Sequence, residues 1–264
     1  MTQASTRQRA FRAAGWLVAM LIASYAVVLF SVANSRVDLA IRSSELDESR
    51  KISVYGAKAN AVTIYVLDGE KYRHGLLPAA HGAIIAWFSG YRAPMVVAVH
   101  DHGKRDIDLR PETVEPAHWR SDIKGRGPAF DAFLLNELRG EIERRFGRPD
   151  KRYFFGHSLA GFYAIDMASR HADHGFEGLF AFTPTFSHDL SLLNRLGQAC
   201  DNSAALYVNI GLESARDTAV FAQAKAAFAE EPACKTKVTL SWHPGMIHQI
   251  VMITGQLDAL NVIF

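Results

Sequence analysis

The chain has 264 residues, 49% of them hydrophobic and 21% charged, with a net charge of +2. That composition buries a core readily and excludes a disordered chain, while the length suits one large domain rather than two. Charge this balanced, with no basic run interleaved with aromatics, argues against nucleic acid as a partner.

Residues 1–12 carry Arg7, Arg9 and Arg12 and read as a basic cytoplasmic N-terminus. Residues 13–35 hold no charged side chain, and a helix of that length reaches across a bilayer core at about 1.5 Å per residue. The positive flank in front of it keeps the N-terminus inside and sends the remainder out. The expectation is a single-pass membrane protein with an extracytoplasmic, periplasmic domain. The rival reading is a cleaved signal, with Ser31-Val32-Ala33 as the small-residue site and a secreted or periplasmic product; the apolar run exceeds a usual signal core of about 7–15 residues. Residues 36–50 are polar and read as a linker or the start of the domain, which then occupies 51–264.

Within 51–264, strands are expected at 51–55, 61–67, 95–99, 152–156, 178–182, 204–210 and 237–242. Several are continuous apolar runs, such as Met95-Val96-Val97-Ala98-Val99, as strands covered on both faces are. Helical patterns fall at 80–91, 130–146, 159–171, 189–197, 215–230 and 248–260. In the second of these Phe130, Phe133, Leu134, Leu138, Ile142 and Phe146 share one face. The alternation predicts an α/β class, with a mostly parallel sheet flanked by helices. Cys200 and Cys234 each precede a predicted strand. If those strands are neighbours the sulfurs meet at one sheet edge, and an oxidising compartment permits a disulfide; two free thiols are the alternative.

The chemistry centres on Tyr153-Phe154-Phe155-Gly156-His157-Ser158-Leu159-Ala160-Gly161, an apolar strand that runs through a tight turn into a helical pattern. A nucleophile elbow needs this context, with small residues two before and two after the serine. Gly156 and Ala160 meet that need, and Ser158 is the expected nucleophile. In this arrangement the acid and then the histidine follow later in the chain. His248, opening the last helix after Pro244-Gly245, is preferred as the base, because imidazole takes and returns a proton near neutral pH. His243, at the strand end, is expected to pack or cap. Glu213, after Leu206-Tyr207-Val208-Asn209-Ile210-Gly211, is the expected acid, with Asp217 the fallback. An oxyanion site needs two backbone N–H donors. One is expected at Leu159, the other at Gly69 or Glu70 after Ile64-Tyr65-Val66-Leu67.

These residues resemble the esterase family of α/β-hydrolases that includes enterochelin (ferric-siderophore) esterases, S-formylglutathione hydrolase (esterase D) and feruloyl esterases. The resemblance covers nearly everything after the apolar segment. It is carried by Ser44-Glu45-Leu46 with Arg50-Lys51-Ile52-Ser53-Val54-Tyr55, by Tyr65-Val66-Leu67-Asp68-Gly69, by Arg105-Asp106-Ile107-Asp108-Leu109-Arg110-Pro111, by the helix before the elbow, and by His248 with its helix. It departs at Ala160, where a glycine is usual, at the thin acid position, and at His100-Asp101-His102-Gly103. The resemblance implies an α/β-hydrolase fold and hydrolysis of a small-molecule ester through an acyl-serine, with siderophore trilactones leading the substrate classes. It further implies that Arg105 orients an anionic or catecholate-like substrate; a salt bridge to Asp106 or Asp108 is the alternative. His100, Asp101 and His102 lack a distant third ligand, so no metal is expected, and no cofactor is called for. An acyltransferase of the same fold and a non-catalytic binding module are the other functional classes.

Overall fold

The computed structural model describes every residue except 1, 59–60, 113–123, 187–189 and 213–214, and leaves aside the side chains of 2–10, 12, 72, 73, 212, 216, 217 and 233. Eight strands form one sheet: β1 (Val37–Ser43), β2 (Glu48–Tyr55), β3 (Val62–Val66), β4 (Met95–Val99), β5 (Lys151–His157), β6 (Gly178–Phe182), β7 (Leu206–Leu212) and β8 (Val238–Ile247). Their order is β1-β2-β4-β3-β5-β6-β7-β8. β1 and β2 form an antiparallel hairpin, β2 runs antiparallel to β4, and every later neighbour is parallel. This is an α/β-hydrolase sheet. β4 and β6 are buried at every position, because helices cover both faces and leave no side for water.

One face packs against α2 (Tyr72–Ser89) and α9 (His248–Ile263), through Ala79, Met252, Ala259 and Leu260. The other packs against α4 (Gly127–Ala132), α5 (Arg139–Phe146), α6 (Leu159–Arg170), α7 (Leu196–Asn202) and α8 (Ala215–Glu230). Among the described residues the remaining α-helices are α1 (Thr2–Asn34) and the short α3 (Arg105–Asp108). Within α1, Ala13–Asn34 is apolar and long enough to cross a membrane.

Residues 36–50, expected as a linker or the start of the domain, hold β1 and its turn into β2. Asp38, Ala40 and Arg42 of this edge strand face water, which hides the strand among polar residues. Other elements differ from the sequence expectation: where a helix is expected at 189–197, Leu190–Arg195 is a 3-10 helix and α7 follows it. α2 starts at Tyr72 rather than 80 and passes through Pro78, where a proline ordinarily ends a helix. The helix over 127–146 contains a π-helical stretch, Phe133–Leu138. β8 continues through Pro244-Gly245 to Ile247, with a register irregularity against β7 between Ile210 and Leu212. β7 and β8 are neighbours, and Cys200 and Cys234 are joined in a disulfide.

A buried ion cluster ties β2 to the α3 and α4 loops. Arg50, with a fully buried side chain, bonds Glu48 at 2.5 Å and Asp108 at 2.6 Å. Arg126 bonds the same two carboxylates at 2.5 and 2.6 Å, and Lys104 closes on Glu48 as well. Removing Arg50 takes one charged hydrogen-bond partner from each carboxylate while Arg126 and Lys104 stay, a loss of about 1.5–3 kcal/mol. Arg50→Met is expected to lose that much in urea unfolding. Burial alone would raise the Glu48 carboxyl, but bonds from Lys104, Arg126 and Arg50 hold it down at about 2. A depressed carboxylate stabilises the fold above its unfolded value of about 4.3. That contribution is lost as pH falls from there towards about 2, which thermal melts across the acid range will show.

Candidate active site

β5 delivers Ser158 to the C-terminal edge of the sheet, and α6 starts at the next residue. Ser158 sits at φ 60°, ψ −119°, a conformation that costs a non-glycine residue about 1–3 kcal/mol. The surroundings impose it. The Ser158 N–H donates to Phe182 O at 2.9 Å, and its carbonyl accepts from the N–H groups of Gly161 and Phe162 at 2.9 and 3.0 Å. A Cβ on Gly156 would lie 2.2 Å from Ala160 O, so this position has no room for a side chain. Gly156→Ala is therefore expected to force the elbow open, costing at least about 2 kcal/mol of stability along with most of the activity. Ala160→Gly, which adds no atom, should leave turnover close to the parent's. Parallel melts and ester assays check both.

His248 is the first residue of α9, and the structure brings it to the elbow. Its ring lies 4.4 Å, centroid to centroid, from that of His157, the residue before the serine. His74, on the first turns of α2, meets His157 edge-on at 5.4 Å. Burial, with the neighbouring His248 and His74, pushes His157 down to about 2, so it stays neutral at working pH. His243 bonds Ser241 on its own strand at 3.0 Å. Glu213 lies outside the described residues; β7 ends at Leu212, directly before it. Asp217 belongs to α8, and its side chain is likewise outside the described set.

The loop after β3 carries its left-handed residue at Asp68 (φ 57°) rather than at Gly69. Gly69 is needed for a different reason: a Cβ there would meet the Ala98 backbone at 2.7 Å. Its N–H donates to Val99 O at 2.8 Å, so of the two residues expected to offer an oxyanion donor, Gly69 has its N–H engaged within the fold. Leu159 opens α6, where the first N–H groups have no partner within the helix.

Arg105 pairs with neither Asp106 nor Asp108. Its Nε bonds Asp68 Oδ1 at 2.7 Å, and its Nη2 donates to His157 O at 3.0 Å, so it braces the β3 loop against the elbow. Burial would raise Asp68, but the Arg105 charge and hydrogen bond, with His74 and Lys71, hold it below the usual carboxylate range. Asp68, Glu70 and Asp101 bring carboxylate oxygens within 4.8 Å of one another, with Arg105 and Lys71 as counter-charges at 2.7 and 3.4 Å. The Nε2 atoms of His100 and His102 are tied to β2, at Ser53 Oγ (2.9 Å) and Lys51 N (3.1 Å). Sequence reasoning missed His74 and His157. The second was visible in the Gly156-His157-Ser158 string itself; for the first there was no signal beyond its place one turn after the β3 loop.

Residues 43–243 match the model of the family named Esterase and described as "Putative esterase". The chain belongs to that family. No curated protein matches this esterase. Among solved structures it is similar to the BES protein from Bacillus cereus, at 19% identity over 86% of this chain and 93% of that one, with a TM-score of 0.69. It is similar to the siderophore hydrolase EstA from Aspergillus nidulans, at 16% identity over 87% and 94%, TM-score 0.70. It is also similar to an IroE-like serine hydrolase from Shewanella oneidensis, at 16% identity over 87% and 80%, TM-score 0.69. At these identities the likeness speaks for the fold of this esterase, and the family match for ester hydrolysis.

Proposed function

We propose that this esterase is a membrane-anchored serine hydrolase whose domain faces the periplasm and cleaves siderophore-type esters, cyclic trilactones first among them. The observation that carries the serine mechanism is the strained Ser158 at the sheet edge, with His248 packed on the residue before it. Ser158 Oγ attacks the ester carbonyl as His248 takes its proton. The N–H groups of Leu159 and Glu70 receive the oxyanion. The protonated imidazole then gives its proton to the departing alkoxide, leaving an acyl-serine. Water, deprotonated by His248, attacks the acyl group, and Ser158 is regenerated. Glu213 orients the imidazole. Arg105 acts as a brace between Asp68 and the elbow.

The substrate class rests on the neighbour named as a siderophore hydrolase, EstA. The location rests on the apolar α1 and on a disulfide, which suits an oxidising compartment. The test is a panel of iron-free and ferric trilactones beside simple aryl esters, given to the detergent-solubilised full chain and to His248→Ala. Turnover of trilactones by the parent, falling at least about 10³-fold in the variant, is the expected result. Equal turnover by both rejects the mechanism, and hydrolysis of aryl esters alone rejects the substrate class.

A further inference from the structure

His157 stands between strand and serine, and the mechanism above gives it no task. Its side chain is buried, and its Nε2 has no hydrogen-bond partner among the described residues. A buried polar atom in that position is uncommon and calls for a bound water or a function. Burial keeps this imidazole neutral, so one ring nitrogen donates a hydrogen bond and the other accepts one. Beside it lies a small cavity of about 10 Å³. Three polar side chains from three elements line it: His157 of β5, His74 of α2 and Gln256 of α9. That volume is about what a single water requires, and three polar neighbours suit the number of bonds that a buried water makes.

Gln256 is buried and follows His248 by about two turns of α9, on the same side of the helix. α9 is pressed onto the sheet at this level. A Cβ on Gly255 would lie 2.7 Å from the Phe182 ring and 2.1 Å from Asn209 Nδ2, and Asn209 donates to Val251 O at 3.2 Å. Phe182 lines the same cavity, and its carbonyl accepts from the Ser158 N–H. The cavity is thus the place where the elbow meets the helix that carries His248.

We infer that this cavity holds one buried water joining His157 Nε2 to Gln256, and that His157 is a positioning residue, which fixes α9 and the His248 ring, 4.4 Å from its own, against the elbow. The inference rests on His248 being the base, as proposed above. A base displaced by about 1 Å costs about 10²-fold in rate, and the loss falls on kcat, because binding of the substrate does not use the base. The test is steady-state kinetics of the detergent-solubilised full chain with an iron-free trilactone and with p-nitrophenyl acetate. His157→Leu, close in volume but without a polar atom, should lower kcat by about 10–10²-fold at unchanged KM. His157→Gln, whose amide reaches as far as Nε2, should recover most of that loss. Gln256→Met should lower kcat in the same way, and adding it to His157→Leu should cost little more, since the shared water is already gone. A crystal structure of the parent should show the water. Parent-like kcat in His157→Leu overturns the inference, and so does a loss that falls on KM, a loss that glutamine does not recover, or additive losses in the double variant. Where His157→Leu fails to fold, Gln256→Met and the parent's crystal structure decide: parent-like kcat or a dry cavity overturns it. Full turnover by His248→Ala defeats the mechanism and this inference together, whereas an inactive His248→Ala beside a fully active His157→Leu defeats this inference alone.

Discussion

Ser158→Gly should abolish ester turnover and yet melt at a higher temperature than the parent. Loss of the nucleophile leaves only binding and oxyanion stabilisation, a fall of about 10⁴-fold or more. Glycine, in contrast, adopts the elbow's positive φ at no steric cost. The relief of about 1–3 kcal/mol of strain exceeds the added freedom of the unfolded glycine, about 0.4–1 kcal/mol, for a net gain of about 1 kcal/mol. Ser158→Ala should lose the same activity without that gain. Thermal melts and trilactone assays on the three proteins decide the matter: a Ser158→Gly protein that turns over like the parent rejects the nucleophile, and one that melts lower rejects the strain.

Opening the Cys200–Cys234 disulfide should be the largest purely structural loss. It closes a segment with a sequence separation of 34, and the chain-entropy relation gives about 4 kcal/mol for a loop of that size. The segment holds β7 and α8, and β8 with His248 follows it, so the placing of the candidate base depends on this closure. Urea unfolding of Cys200→Ala/Cys234→Ala should show the deficit, and the parent with reductant should match it. A variant as stable as the parent would show that packing around these buried sulfurs, rather than the covalent closure, holds the two strands.

How far the sequence could be read depended on whether the signal was local. The elbow was legible because an apolar strand, a small residue and a helix follow one another within a dozen positions, and steric demand selects the residue types. The central strands were legible as unbroken apolar runs. β1 was not, since an edge strand keeps charged residues on its open side. The identity of the second oxyanion donor was also out of reach: whether Gly69 offers its N–H depends on a carbonyl of β4, which only the folded sheet brings opposite. Arg105 illustrates the same limit, because its partners, Asp68 and the His157 carbonyl, lie 37 and 52 positions away. Local spacing favoured Asp106 and Asp108, and tertiary contact overrode it.

The length of α2 separates two ends of the molecule. The helix sets out from the loop that borders the elbow and runs for 18 residues, about 27 Å, so that its exposed end at Trp87 and Phe88 stands well away from Ser158. A label or tether fixed to that end should therefore leave the elbow undisturbed.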